Sequence, residues 1–367
     1  MDSLRRLVGY GFGTGLGFSE DPVSFKFINI QDRDGTGIVI SSQSLSKAQV
    51  VTELAGSSDG HVCSTIAPSI KLVEVRIGDP FPFYLEQDTF LEFFRSFGAD
   101  NYIFHLIRHN SYGFHQFSPN IRLAADSRIT SYFVSTLPYM LIWSFNESTR
   151  ETKAILMRRG NVTYLFEQLY AYLETFLPCL TSFQYSAGFL GLVVSTQLVH
   201  HLGTYILTSL HDIRNAEAGT GHDDMVPIME KLDLNELSQA MGHSITVLAN
   251  VRRHLLITAA VIAHASKMIN AVEVDGLPVK DQPLHRELRI SLLDGLSTLD
   301  TQVIWNESYT AYLLERAKSQ ISVASPPDRN PNIVFLLIIT SCKDYSHTRT
   351  CGQREISRER PRRTAHL

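Results

Sequence analysis

The amino-acid sequence predicts an α+β fold, in which a small N-terminal mixed sheet with helices is followed by a bundle of long helices. Short β-prone runs separated by turns occupy residues 24–77 and 137–159. Apolar residues then recur at helical spacing almost without interruption from residue 161 to residue 323. With 367 residues, of which 44% are hydrophobic and 19% charged, the chain is apolar enough to bury a core of this size.

Five runs of residues predict the strands of the sheet. Three of them are bounded by polar or glycine-containing turns: SFKFINI at 24–30, GIVISS at 37–42 and IKLVEVRI at 70–77. The other two flank the turn-forming residues 146–150 and predict a β-hairpin: LPYMLIWSF at 137–145 and TKAILMRR at 152–159.

An aromatic helix is predicted between these two groups of strands. Four phenylalanines recur at helical spacing in TFLEFFRSFG, residues 89–98: Phe90, Phe93, Phe94 and Phe97. Asp88 precedes the run, where a polar side chain can cap a helix, and Gly98 stands at the position of a C-cap. The phenylalanine stripe indicates a buried core face rather than a ligand-binding box.

The second half of the chain is predicted to form long helices. Asn161 can cap a helix over residues 164–177, and Asp233 with Glu236 forms a capping-box pair ahead of another. Two apolar stripes follow at helical spacing, the first through Leu237, Met241, Ile245, Leu248 and Leu255 and the second through Leu293, Leu296, Leu299, Val303, Tyr309, Leu313 and Ile321. Such stripes are expected to pack against partner helices.

These patterns divide the chain into four predicted parts. Residues 1–22 contain glycine at every second position from Gly9 to Gly17 and predict a flexible leader. Residues 23–160 form the α/β domain and residues 161–323 the helical domain. Residues 324–367 predict a disordered basic tail, because prolines interrupt the helix and the arginine-rich end has no apolar period.

Composition argues against several classes of function. The net charge of -4 gives no reason to expect a nucleic-acid partner. The four cysteines, Cys63, Cys179, Cys342 and Cys351, show no C-x-x-C spacing and predict neither a zinc site nor a disulfide framework. No leucine-rich signal-peptide core follows residues 1–6, so the expected compartment is the reducing cytoplasm.

Residues 175–211 form the membrane candidate that the sequence offers, because this stretch contains no Asp, Glu, Lys or Arg. However, Gln197, His200 and His201 lie near the middle of its most apolar window, and Gly, Ser and Thr break the apolar runs. A core helix is therefore the favoured interpretation, and membrane association stays an alternative. The apolar residues 332–340 are too few to cross a bilayer core of about 30 Å.

No set of residues predicts a catalytic or cofactor site, and a metal site is left open. His105 and His109 can share one face of a helix, with His115 nearby, but Leu106 stands where a zincin motif has glutamate. His200 and His201 are adjacent, so they are expected to point to different faces of a helix. The alternating glycines match no nucleotide-binding motif, and the Asp32–Gly35 run, which lacks a closing glutamate at Gln43, predicts a turn rather than a calcium loop.

The order of these elements resembles that of the fungal CorA-like proteins, relatives of magnesium transporters. The residues that carry the resemblance lie within 65–323: IKLVEVRIGDPFPF with TFLEFFRSFG, SYFVSTLPYMLIWSFNESTRETKAILMRR, and YLLERAKSQISV. The resemblance implies a soluble N-terminal part followed by a long helix. The transporters also carry a Gly-Met-Asn sequence and paired C-terminal spans, and neither occurs in this sequence, so the resemblance does not imply ion conduction by this chain alone.

We therefore expect a non-enzymatic domain of cytosolic type, with an interaction or accessory role. Its expected partners are other proteins, or a second copy bound through the helical stripes. The alternatives are a membrane-associated component of ion transport and an enzyme of a family that the motifs do not reveal.

Overall fold

The computed structural model describes residues 16–32, 37–55, 68–78, 82–117, 129–160, 164–180, 183–220, 234–273 and 282–324. These residues form an α+β protein, which confirms the predicted fold class. Its chain divides into two compact units. The first contains residues 1–200 and 256–303, and the second contains residues 201–255 and 304–367.

A nine-stranded mixed sheet forms the centre of the first unit. Its strands are β1 (Gly17–Phe18), β2 (Phe25–Asp32), β3 (Ile38–Leu45), β4 (Ser69–Ile77), β5 (Pro82–Phe83), β6 (Gly113–Phe117), β7 (Ile129–Ser135), β8 (Tyr139–Asn146) and β9 (Glu151–Arg159). All five predicted strands are present, and β8 and β9 form the predicted hairpin with Asn146 opposite Glu151.

The sheet is assembled around β4. This strand pairs in parallel with β9 from Ile70 to Ile77 and pairs antiparallel with β2 on its other edge. From β9 the sheet continues through β8 and β7 to β6, and each of these pairs is antiparallel. Parallel pairing of strands so distant along the chain is a tertiary feature that no local pattern predicted.

Seven α-helices are described: α1 (Lys47–Ala55), α2 (Gln87–Ser96), α3 (Tyr102–Arg108), α4 (Leu165–Phe176), α5 (Ser186–Thr220), α6 (Leu234–Asn270) and α7 (Gln282–Ala324). Helices α1, α2 and α3 cover one face of the sheet, where the four phenylalanines of the predicted aromatic stripe are buried in the core with Val73, Ile155 and Met157. The predicted core role of that stripe is confirmed. Gly98 follows α2 in the left-handed conformation, with φ of 61°, as expected for a glycine that ends a helix.

The start of α2 is capped by a residue from outside the helix. Asp88, the predicted cap, lies inside the first turn, and Glu86 at the N-cap makes no side-chain capping bond. The Asp21 carboxylate instead accepts hydrogen bonds from the Glu86 amide at 2.9 Å and from the Thr89 hydroxyl at 2.5 Å. The capping prediction was therefore wrong, because the sheet brings a distant carboxylate to the exposed amides.

Other contacts near Asp21 correct the boundary of the predicted leader. Within the predicted residues 1–22, β1 pairs with β5, and Phe18 stacks on Phe83 with ring centroids 5.1 Å apart. The packed body therefore already includes residues 16–22. Residues 1–15, the tail from 325 onward, Asp34, Gly35, Asn161 and Asp233 lie outside the described residues.

Two sheet lysines tie α1 and α2 to the strands. The Nζ atoms of Lys71 and Lys153 lie 2.9 and 3.2 Å from the carboxylate oxygens of Glu151. Lys71 also donates to the Glu53 carbonyl at 2.6 Å, and Lys153 donates to the Ser96 carbonyl at 3.2 Å. These carbonyls belong to the last turns of α1 and α2, where the helix dipole favours a cation. Burial lowers the pKa of Lys153, and Glu151 opposes that shift.

The helices predicted as one domain, residues 161–323, are divided between the two units. Residues 186–200 of α5, 256–270 of α6 and 282–303 of α7 belong to the first unit, with α4. The remaining parts of the three long helices belong to the second unit. Hydrophobic periodicity identified these helices, but it does not predict to which of the two units each part of a helix belongs.

In the first unit α5 and α6 approach closely at two glycines. A Cβ atom at Gly191 would lie 2.9 Å from the Ala265 Cβ, and one at Gly188 would lie 2.7 Å from an Ile269 side-chain carbon. By contrast, a Cβ atom at Gly203, also in α5, would meet nothing within 4 Å. The close approach therefore depends on glycine at the first two positions.

Gly191→Val is expected to lower the free energy of unfolding by about 1–3 kcal/mol, because the added methyl groups force the two helices apart. Gly203→Ala is the matched control, and it should raise stability by about 0.5–1 kcal/mol through helix propensity alone. Urea denaturation followed by circular dichroism measures both. Equal stability of Gly191→Val and the wild-type protein would contradict the close packing.

Candidate functional site

The sequence suggested His105, His109 and His115 as possible metal ligands. In the structure His105 and His109 lie next to each other, whereas His115 packs elsewhere. The rings of His105 and His109 lie 4.3 Å apart between centroids, on one side of α3 and its C-terminal end, as the i, i+4 spacing predicted. His115 lies on β6 and instead packs against Phe117 and Phe133. The pKa of His105 is lowered by burial and by the neighbouring His109 and Arg108.

This histidine pair gains no third metal ligand from the residues that the structure describes. Within the described ranges, no group of three or more His, Cys, Asp or Glu side chains is placed to hold a metal ion. His200 is exposed and lies 6.5 Å from the Tyr172 ring, whereas His201 is buried and lies 4.9 Å from the Tyr205 ring. The prediction that these two histidines point to different faces is confirmed.

The most distinctive surface of the second unit is an aromatic stripe on α7, formed by Trp305, Tyr309, Tyr312 and Arg316. The exposed fractions of the first three are 72%, 37% and 54%. The spacing of i, i+4, i+7 and i+11 places the four side chains on one side of the helix. The rings of Tyr309 and Tyr312 stack with centroids 6.1 Å apart. Large aromatic side chains are therefore presented to solvent in a row.

Arg316 is held in place at the end of this aromatic stripe. Its Nε atom donates to Glu217 on α5 at 2.9 Å, and its second guanidinium nitrogen donates to the other oxygen of the same carboxylate. Its guanidinium carbon lies 5.3 Å from the centre of the Tyr312 ring. The hydrogen bonds that Arg316 donates to Glu217 raise the pKa of Arg316, although burial opposes the shift. The bidentate pair orders a long side chain that would otherwise be mobile.

The sequence placed Tyr309 in a buried stripe, and this assignment was wrong. The buried face of α7 in the second unit is formed by Thr310, Leu313, Ala317 and Ile321. At about 100° per residue, Tyr309 lies about 80° around the helix from the centre of that face. The signal that could have revealed the aromatic stripe is the recurrence of Trp, Tyr and Tyr at helical spacing beside a second, aliphatic stripe.

Among the described residues, two helices are long and apolar enough to cross a membrane, Ser186–Thr220 and Glu236–Asn270. The first contains most of the predicted candidate, residues 175–211, and the second was not singled out. In the protein, 67% of the most apolar stretch of the first helix and 44% of that of the second are buried. Such burial also occurs in core helices of soluble proteins, so length and composition decide nothing here.

The comparisons with family models and with curated proteins give no relative on which to base a function. No family model matches the chain, and no curated protein matches it.

Proposed function

We propose that this protein is a non-enzymatic interaction domain of cytosolic type, which associates with a second copy of itself through the aromatic stripe of α7. The exposed Trp305, followed at helical spacing by Tyr309, Tyr312 and Arg316, is the observation that supports this proposal. Trp, Tyr and Arg are the residue types that contribute most binding energy at protein interfaces.

The energetics of exposure support the same conclusion. An exposed Trp in isolation needs no explanation, but a row of large aromatic side chains leaves apolar surface in water along about two turns of helix. Arg316 is already ordered by Glu217, so little side-chain entropy is lost when a partner covers it. The aromatic stripe is therefore partly preorganised for binding.

The charge of the helix favours a second copy over a strongly charged partner. Residues 304–324 of α7 carry two acids, Glu307 and Glu315, and two bases, Arg316 and Lys318. This segment therefore has no net charge from which two copies would repel each other. A partner of high net charge would find no complementary field here.

The resemblance to fungal CorA-like proteins stays part of the proposal and rests on residues 65–323 of the sequence. If it is correct, the chain corresponds to the soluble part of that family and acts as an accessory domain.

The proposal predicts a concentration-dependent dimer. Sedimentation velocity of the wild-type protein should show a monomer and a dimer in equilibrium, and the double variant Trp305→Ser with Tyr312→Ser should weaken association at least about tenfold. Leu256→Ser is the matched control, because Leu256 is exposed on α6 and lies outside the stripe. It should associate like the wild-type protein.

Two results would contradict the proposal. One is a wild-type protein that stays monomeric at every concentration, which would show that the protein does not self-associate. The other is a double variant that dimerises as tightly as the wild-type protein, which would show that it uses another surface.

A membrane-associated component of ion transport is the second candidate function, and the two apolar helices are the observation that favours it. Carbonate extraction of membranes from cells that produce the protein separates the two functions. Release into the soluble fraction agrees with the interaction domain, and retention in the membrane pellet agrees with the second candidate.

A further inference from the structure

A cavity of about 320 Å³ lies in the first unit, between the sheet and the C-terminal end of α6. Its sheet side is formed by residues of β6, β7 and β8, and its helix side by the first turn of α5 and by residues 264–272. At about 30 Å³ for a water-sized atom, the volume corresponds to about ten non-hydrogen atoms. This volume suits a small metabolite.

The inner walls of this cavity are mainly apolar and aromatic. Tyr132, Tyr185 and Ile269 are almost completely buried, and Phe145 and Met268 are partly covered. Behind Tyr132 lies Trp143, whose ring stacks on that of Tyr132 with centroids 4.9 Å apart. Burial raises the pKa of Tyr132, so its phenol stays protonated at neutral pH. This part of the cavity suits an apolar side group of a ligand.

His264 contributes a buried ring nitrogen to the wall. Its ring lies 5.3 Å from that of Tyr132 and 5.1 Å from that of Phe114, and among the residues that the structure describes its Nε2 atom has no hydrogen-bond partner. Burial, together with the charge of Lys267, lowers the pKa of His264, so the ring is neutral at pH 7. A buried polar atom of this kind is normally satisfied, and a bound ligand would satisfy it.

Opposite charges stand at the exposed rim. Glu147 follows β8 and Lys267 lies near the end of α6, and both side chains are exposed. In the part of the chain that the structure describes, neither side chain forms an ion pair or a hydrogen bond. His264 and Lys267 are i, i+3 neighbours on α6, so both side chains can contact the same group of a ligand. The rim therefore offers one site for a cation and one for an anion.

We propose that this cavity binds an apolar α-amino acid. The ligand's side chain enters between Tyr132, Phe145 and Ile269, and its ammonium group pairs with Glu147. Its carboxylate pairs with Lys267 and accepts a hydrogen bond from His264. This inference is independent of self-association, because all of these residues belong to the first unit and the aromatic stripe belongs to the second.

The test uses three probes of similar size: L-phenylalanine, 3-phenylpropionate, which lacks the ammonium group, and phenethylamine, which lacks the carboxylate. The chain contains two tryptophans, so Trp305→Phe leaves Trp143 behind the cavity as the fluorescent reporter. L-Phenylalanine should change the Trp143 emission and should bind at least about fivefold more tightly than either of the other probes.

Two variants test whether Glu147 binds the ammonium group of the ligand and Lys267 its carboxylate. Glu147→Gln should weaken L-phenylalanine binding about fivefold and leave 3-phenylpropionate unaffected, and Lys267→Met should weaken L-phenylalanine and leave phenethylamine unaffected. Glu315→Gln and Lys318→Met are matched controls from an exposed ion pair on α7, and they should bind like the parent.

The proposal is overturned by any of three results. One is no response to L-phenylalanine up to about 10 mM, which lies above the range typical of metabolite sites. Another is equal affinity for the three probes, which would indicate an apolar cavity without recognition of a zwitterion. The third is unchanged binding in both rim variants, which would place the ligand elsewhere.

Discussion

Replacing Leu248 or Leu296 with Asp is expected to destroy the cooperative fold of the unit that contains it. Both side chains have an exposed fraction of 0%, Leu248 on the part of α6 in the second unit and Leu296 on the part of α7 in the first. Removing a buried leucine side chain costs about 2–5 kcal/mol, and an unpaired carboxylate in its place adds the cost of burying a charge. The total approaches the whole stability of a typical domain.

The same helices provide matched controls for these two substitutions. Leu256 on α6 and Leu284 on α7 are more than half exposed, so their replacement by Asp should change the free energy of unfolding by only about 0.5 kcal/mol. Thermal unfolding followed by circular dichroism compares the four variants. Unchanged melting of Leu248→Asp and Leu296→Asp would show that the apolar stripes face solvent.

Arg158→Met is expected to lower the free energy of unfolding by about 3–5 kcal/mol, because it leaves the Glu74 carboxylate buried without its partner. The Arg158 Nε atom donates to Glu74 at 2.7 Å, and each side chain has an exposed fraction of 3%. Arg158 also donates to the Gly160 carbonyl at 3.1 Å. The two residues belong to β9 and β4, the central parallel pair, so the loss falls at the middle of the sheet.

A double variant distinguishes the loss of the pair from the loss of Arg158 packing. Arg158→Met combined with Glu74→Leu removes both charges and should recover most of the lost stability. Arg76→Met is the control on β4, the strand of Glu74, because Arg76 is exposed, and it should unfold like the wild-type protein. A double variant as unstable as Arg158→Met alone would mean that the stranded charge is not the cause.

The candidate sites were much less predictable than the fold. The aromatic stripe of α7 was partly visible, since Tyr309 was noted, but the sequence assigned that residue to the buried face. The cavity was not visible at all, because Tyr132, Glu147, Tyr185 and His264 are separated by up to about 130 residues and share no spacing rule. Only the packing of α6 against β7 brings His264 and Tyr132 into ring contact.

The sequence by itself determined the type of the elements whose hydrophobic period is clear, whereas α1, α3, β6 and β7 were not predicted. Alternating and helical hydrophobic periods depend on neighbouring residues, so the hairpin of β8 and β9, the phenylalanine face of α2 and the long helices could be recognised without a structure. The partners of those elements were decided by the tertiary structure. The pairing of β4 with β9, the cap that Asp21 provides to α2 and the division of the long helices between two units all join residues far apart in the chain. Contacts of that kind depend on how complete surfaces fit together, and no local period encodes them.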